Sequence, residues 1–159
     1  MGLFTSADIE KAPKDSGTLN PATASTASTA QPVYSGTPNR KQILLGQVIA
    51  TKSNSKTVTD NDMAMPDNWR EGGDPTLGHQ EDGRTVCVHS LAVLPAYQRK
   101  GLGTMLLKAY IQRIEASGLA DRISLISHDP LVPFYEAMGF ENQGPSKAQI
   151  GGGGWTDLV

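Results

Sequence analysis

A single cysteine, Cys87, stands in 159 residues, which excludes a disulfide framework and a thiolate zinc site. Histidine is scarce too: His79 and His128 lie in loop-like contexts without a partner at metal spacing and read as surface residues. No metal is expected. Apolar runs all fall well short of the ~18 residues a membrane span needs, and no signal peptide is visible. A soluble, cytoplasmic protein with no membrane partner is therefore expected. The opening "MGLFTS" fits an acylation pattern at Gly2 and Ser6, but that pattern is short and one acyl chain anchors weakly. Net charge is also small, −2, which argues against a nucleic-acid binder that works by bulk charge.

Between Ser16 and Asn39 charge is missing altogether, and "PATASTASTAQPVYSGTPN" dominates. Such a tract buries too little apolar surface to offset its ordering entropy, so residues 16–39 read as a low-complexity flexible insert. Elsewhere charge is segregated. Residues 52–83 form a polar acidic loop broken by Pro66 and Pro75; its carboxylates read mainly as ordinary solvated surface. From Gln98 to Arg122 the balance turns basic, with Arg99, Lys100, Lys108, Arg113 and Arg122 against Glu115 and Asp121.

The length suits one domain, 1–159, with a real core. "GLF" at 2–4 is apolar but too short to stand alone, whereas "KQILLGQVIAT" (41–51) reads as a strand. "RTVCVHSLAVLP" (84–95) reads as another, closed by Pro95; strict alternation puts Cys87, His89, Leu91 and Val93 on one face. A helix starts at Leu102: Leu106, Tyr110 and Ile114 follow at intervals of four, Leu107 and Ile111 lie beside them, and Gly118 ends it. "RISLIS" (122–127) is a buried strand and "PLVPFYEAM" (130–138) a short helix that Asp129 is placed to cap. One or two closing strands follow, with Trp155 as a packing residue. The order β–β–α–β–α–β(–β) predicts an α/β or α+β sheet with helices packed on it.

"QRKGLGTMLL" (98–107) carries the chemistry. A P-loop needs Lys-Ser/Thr after its second Gly, and a dinucleotide turn needs Gly where Leu106 stands; neither template fits. What remains is Gln-x-x-Gly-x-Gly leading from a strand into a helix N-terminus. Glycines there let backbone amides face a ligand, and free first-turn N–H groups with the helix dipole favour phosphate. A tight basic turn with no ligand is about as compatible with the spacing alone.

With its neighbours the turn becomes specific. "LAVLPAYQRKGLGTMLL", "SHDPLVPFYEAMGF", "VHSLAV" and the Gly144-Pro145 pair resemble the GNAT N-acetyltransferase superfamily, closest to the serotonin (arylalkylamine) N-acetyltransferase family and its fungal relatives. The resemblance spans about Arg84 to Gly151 and extends more weakly to "ILLGQVIAT". It implies a mixed, mostly antiparallel sheet flanked by helices, with residues 84–151 as the coenzyme-binding and catalytic core. It implies acetyl-coenzyme A as co-substrate, with backbone around Leu91, Ala92 and Val93 pairing the pantetheine arm. Gln98, Arg99, Lys100, Gly101, Leu102, Gly103 and Thr104 would then hold the pyrophosphate. Tyr135 matches the family tyrosine beside the sulfur, and His89 one of two histidines that relay a proton. The other family histidine falls on Cys87. Members also carry a first strand and two helices ahead of the segment that "GLF" resembles, and this front end is expected to be missing.

Those groups suit the reaction. An alkylamine has a pKa of about 10, as a Lys side chain does, and must lose a proton before it attacks a thioester; His is the usual acceptor. A strand-bulge N–H can stabilise the developing oxyanion, and a phenol can protonate the leaving thiolate. Cys87 lacks an activating neighbour and reads as a small buried residue. The resemblance implies two functions: N-acetylation of a small primary amine, arylalkylamine or polyamine, by direct transfer, or a non-catalytic acyl-coenzyme A-binding module or truncated, inactive homologue. A nucleotide-binding regulator is a distant third.

Overall fold

The computed structural model describes residues 1–8 and 40–159, so the uncharged stretch 16–39 lies outside the described residues. Among the described residues six strands form one sheet in the order β1-β2-β3-β4-β6-β5: β1 (Gly2–Asp8), β2 (Arg40–Ser53), β3 (Thr85–Val93), β4 (Arg122–Ser127), β5 (Asn142–Pro145) and β6 (Thr156–Leu158). Only β3 and β4 run parallel; the other pairs are antiparallel. This is the mixed, mostly antiparallel sheet that the resemblance implies, with few helices. "GLF" is the start of β1, which borrows its stability by pairing along β2.

The parallel pair requires a crossover, and the amphipathic helix α2 (Leu102–Ser117) provides it. Its Leu106, Leu107 and Ile114 pack on Val48, Val86, Val88, Leu125 and Leu158, with Tyr110 and Ile111 beside them. Gly118, at φ 60°, ends the helix in the left-handed region. A short helix α3 (Val132–Glu136) follows β4 through a tight turn at Asp129–Leu131. Asp129 does not cap it; its carboxylate instead accepts the Thr156 hydroxyl at 3.4 Å. Trp155 stacks on His128 with ring centroids 3.7 Å apart, a loop contact rather than a strand-packing one.

Residues 52–83 hold more structure than a polar loop needs. The first two complete β2, and α1 (Asp60–Met63) follows, opened by a capping box in which Thr59 and Asp62 satisfy each other's backbone. Asp62 is thereby only 6% exposed, so the reading of these carboxylates as solvated surface fails at this residue. Asp60 reaches across to accept the Gln149 and Ile150 amides. Among the described residues no helix is long and apolar enough to cross a membrane.

Candidate active site

The site begins with an irregularity in β3. Ile49 pairs with Ser90 and Ala50 with Val88, so His89 is an extra residue opposite no partner, a β-bulge. One extra residue reverses the alternation. Val86 and Val88 face α2 before the bulge, and Leu91 joins the same core after it. The expected common face for Cys87, His89, Leu91 and Val93 is therefore wrong: Leu91 and Val93 point toward α2, whereas Cys87 lies on the other face. Val93 is placed there by its Cγ2, which flanks Gly46 and Gly103 on the α2 side.

At the same point β3 loses its other neighbour. Pairing with β4 runs from Thr85 to Val88 and stops, while β4 goes on to pair β6 through Ser127. Thr85–Val88 are buried and His89–Val93 are half-exposed. The edge of β3 from His89 to Val93, which includes Leu91, Ala92 and Val93, thus opens on a cleft between two parted parallel strands. Strand parting leaves backbone N–H and C=O groups available to an extended ligand.

The glycine turn lies at the carboxyl end of that edge. Gln98 donates its side-chain amide to the Val93 carbonyl at 3.0 Å, fastening the turn to the strand. Arg99 adopts φ 58°, uncommon for a residue with a side chain, and Gly101 follows at φ 78° as N-cap of α2. Lys100 donates to the Ala96 carbonyl and lies over the Tyr97 ring. Among the described residues no side chain caps α2, so the N–H groups of Leu102, Gly103 and Thr104 lack an intrahelical or side-chain acceptor there. A Cβ at Gly101 would meet nothing within 4 Å, so only the positive φ, and not crowding, calls for glycine there. Gly103 has helical backbone, and a Cβ there would only touch Val93 Cγ2 at 3.9 Å. The backbone therefore requires glycine at 101 and not at 103.

His89 lies midway along β3, just past the end of its pairing with β4, and Tyr135 lies in α3, which follows β4 after the Asp129–Leu131 turn. His89 Nε2 is 2.6 Å from Thr51 Oγ1. Burial lowers the imidazole pKa, and the negative Asp62 opposes that shift. Tyr135 is edge-on to Phe134 and Phe140, with centroids 5.0 and 6.0 Å away, and burial raises its phenol pKa. Among the described residues its hydroxyl has no hydrogen-bond partner. Cys87 is fully buried, and burial, with Asp62 adding to it, pushes its thiol up to about 12. A thiol held that far above neutrality neither accepts a proton nor acts as a nucleophile.

Thr51 and Asp62 are the residues that sequence reasoning missed. Thr51 gave no signal, because its role depends on β2–β3 register across the bulge. Asp62 did leave one: Thr59-x-x-Asp62 has capping-box spacing, which fixes a helix start and hence an inward carboxylate.

The profile of the acetyltransferase (GNAT) domain matches residues 39–152, and the chain belongs to that family. Serotonin N-acetyltransferase of Macaca mulatta is 35% identical over 80 residues, covering 50% of this chain and 39% of that protein. The Mesocricetus auratus protein of the same name is 37% identical over 73 residues, covering 46% and 35%. The matched stretch thus spans well under half the length of these relatives. Among solved structures, Arabidopsis thaliana NAA60 in complex with a bisubstrate analogue superposes at TM-score 0.47 with 18% identity, covering 72% of this chain and 62% of that one. The ribosomal-protein-S18-alanine N-acetyltransferase of Escherichia coli gives 0.43 with 15% identity, over 98% and 90%.

Proposed function

We propose that the chain is an acetyl-coenzyme A-dependent N-acetyltransferase acting on a small primary amine of the arylalkylamine class, by direct transfer while both substrates are bound. The observation that carries this reading is the freed edge of β3 beyond Val88, with the uncapped N-terminus of α2 at its far end beside Val93. The residues present fit the co-substrate. The side of Leu91, Ala92 and Val93 that faces away from β2 and has no β4 partner suits an extended arm carrying amides. The amides of Leu102, Gly103 and Thr104, with Gln98, Arg99, Lys100 and Gly101 around them, suit a pyrophosphate. Acetyl-coenzyme A supplies the activated acyl group when bound. This work falls within residues 84–151, and the loop 52–83 contributes the Asp62 carboxylate.

His89 takes the ammonium proton of the amine, directly or through water, since its lowered pKa leaves it neutral near pH 7. Tyr135 donates its phenolic proton to the departing thiolate; its raised pKa keeps that proton in place until the thiolate forms. Cys87 stays out of the relay, so one histidine serves where the resemblance leads one to expect two. The arylalkylamine class is favoured over polyamines because the curated relatives are serotonin N-acetyltransferases.

The test is calorimetric titration with coenzyme A, followed by thiol release from acetyl-coenzyme A with tryptamine or spermidine. Binding, with faster release from tryptamine, is the expected result. Faster release from spermidine would move the substrate class to polyamines. Binding without turnover by either amine would mark a coenzyme-binding module, and no binding would leave the glycine turn without a ligand.

A further inference from the structure

Thr51 contributes one hydroxyl proton and faces two candidate partners. Its Oγ1 lies 2.6 Å from His89 Nε2, and it also donates to the main-chain carbonyl of Asp62 at 3.4 Å. A hydroxyl has a single hydrogen, so it can donate to only one of them. The Asp62 carbonyl decides which. Asp62 is 6% exposed, its carboxylate is occupied by the Thr59 amide and hydroxyl, and among the described residues its carbonyl has no donor other than Thr51. If Thr51 turned its hydrogen to the imidazole, this part-buried carbonyl would lose its protein donor. If the hydrogen stays on Asp62, Thr51 Oγ1 must accept, and the nitrogen facing it must carry a hydrogen.

The geometry points to Thr51 as a positioning residue that fixes the tautomer of His89 through the chain Nε2–H to Thr51 Oγ1 to the Asp62 carbonyl, leaving Nδ1 as the basic nitrogen. Among the described residues Nδ1 has no hydrogen-bond partner, so a proton can reach it without breaking an existing bond. When Nδ1 takes that proton the ring becomes an imidazolium, and its Nε2–H continues to donate to Thr51. The Asp62 carboxylate from α1 is the charge that acts on this ring, and it favours the protonated form. Cys87, two residues earlier on β3, remains an uncharged thiol and does not compete. Thr51 lies on β2 and Asp62 on α1, so the loop 52–83 and the sheet jointly set the state of a group on β3. This assignment rests on the reading of His89 as the base, but its test does not depend on turnover.

Nitrogen-15 NMR of the imidazoles settles it. The chain has three histidines, and His89→Gln identifies the His89 signals by their loss. Above its pKa, wild-type His89 should show a protonated Nε2 and an unprotonated Nδ1. Thr51→Val, close in shape, should shift it toward the Nδ1–H form; Thr51→Ser, which restores the hydroxyl, should restore the wild-type pattern. With tryptamine as acceptor, kcat should fall roughly tenfold in Thr51→Val and recover in Thr51→Ser. The coenzyme A Kd should not change in either. A wild-type Nδ1–H tautomer would overturn the assignment, and so would a Thr51→Val tautomer identical to wild type. The expected tautomers combined with wild-type kcat in His89→Gln would keep the Thr51 assignment and refute His89 as base.

Discussion

Gly46 and Ala92 meet across the β2–β3 pair so closely that a Cβ at position 46 would stand 2.8 Å from the Ala92 carbonyl oxygen. The neighbour on that side is backbone, which cannot rotate away, and Val93 Cγ2 at 3.3 Å closes the remaining space. Gly46→Ala should therefore displace the β3 edge that lines the cleft. Overpacking of this kind costs about 1–3 kcal/mol. We expect a lower melting temperature together with weaker coenzyme A binding by calorimetry; unchanged binding would detach Ala92 from the ligand.

Titration of His89 has a defined sign. Burial holds the folded-state pKa below the ordinary ~6.5, so the neutral ring is the form the fold prefers. Its contribution to stability is present above the unfolded-state pKa and is lost as pH falls through the lower folded value. The NMR midpoint should therefore lie below ~6.5. Asp62→Asn should lower it further, because it removes the charge that favours the imidazolium; a rise would show that another group sets the shift.

Tyr135→Phe removes one oxygen from a ring held edge-on between Phe134 and Phe140, so packing should survive. If the phenol protonates the leaving thiolate, kcat should fall by about 10²-fold, with coenzyme A affinity unchanged. A wild-type rate would remove Tyr135 from the reaction.

The two turn glycines should respond differently. Gly101→Ala strains a left-handed backbone, whereas Gly103→Ala meets only ordinary contact at Val93 and should leave the melting temperature near wild type. Gly103→Val should then abolish coenzyme A binding in a folded protein. Circular dichroism establishes folding and calorimetry reads affinity; normal affinity in the folded Val variant would place the pyrophosphate elsewhere.

Core packing offers a control away from the cleft. Leu107 is fully buried between α2 and the sheet. Leu107→Ala should destabilise by about 2–5 kcal/mol in denaturant titration. A smaller loss would mean that the sheet closes over the gap.

Periodicity made α2 and "RISLIS" legible to the residue, because a helix face and a buried strand repeat regularly. The glycine turn was legible because positive-φ positions and helix starts leave residue-specific marks. The bulge was not. Nothing in "VCVHSLAV" separates a strand with one inserted residue from one that alternates throughout, since every residue suits a half-buried strand. Only pairing with β2 reveals the insertion, and with it the reversal of Leu91 and Val93. Thr51 was invisible for the same reason, as its partner lies across that pairing. Gly46 was hidden too: its requirement comes from the carbonyl of a distant residue and not from its own backbone.

Because His89 sits outside the ladder, it has no register partner on β2, and its side chain meets that strand through the Thr51 hydroxyl. The interior is assembled from Val86, Val88 and Leu91, which keep their places whatever residue occupies the bulge. The fold therefore separates the position that can be altered for chemistry from those that must be preserved for folding. Reactivity at that point can be retuned, strengthened or lost while the molecule continues to assemble in the same way.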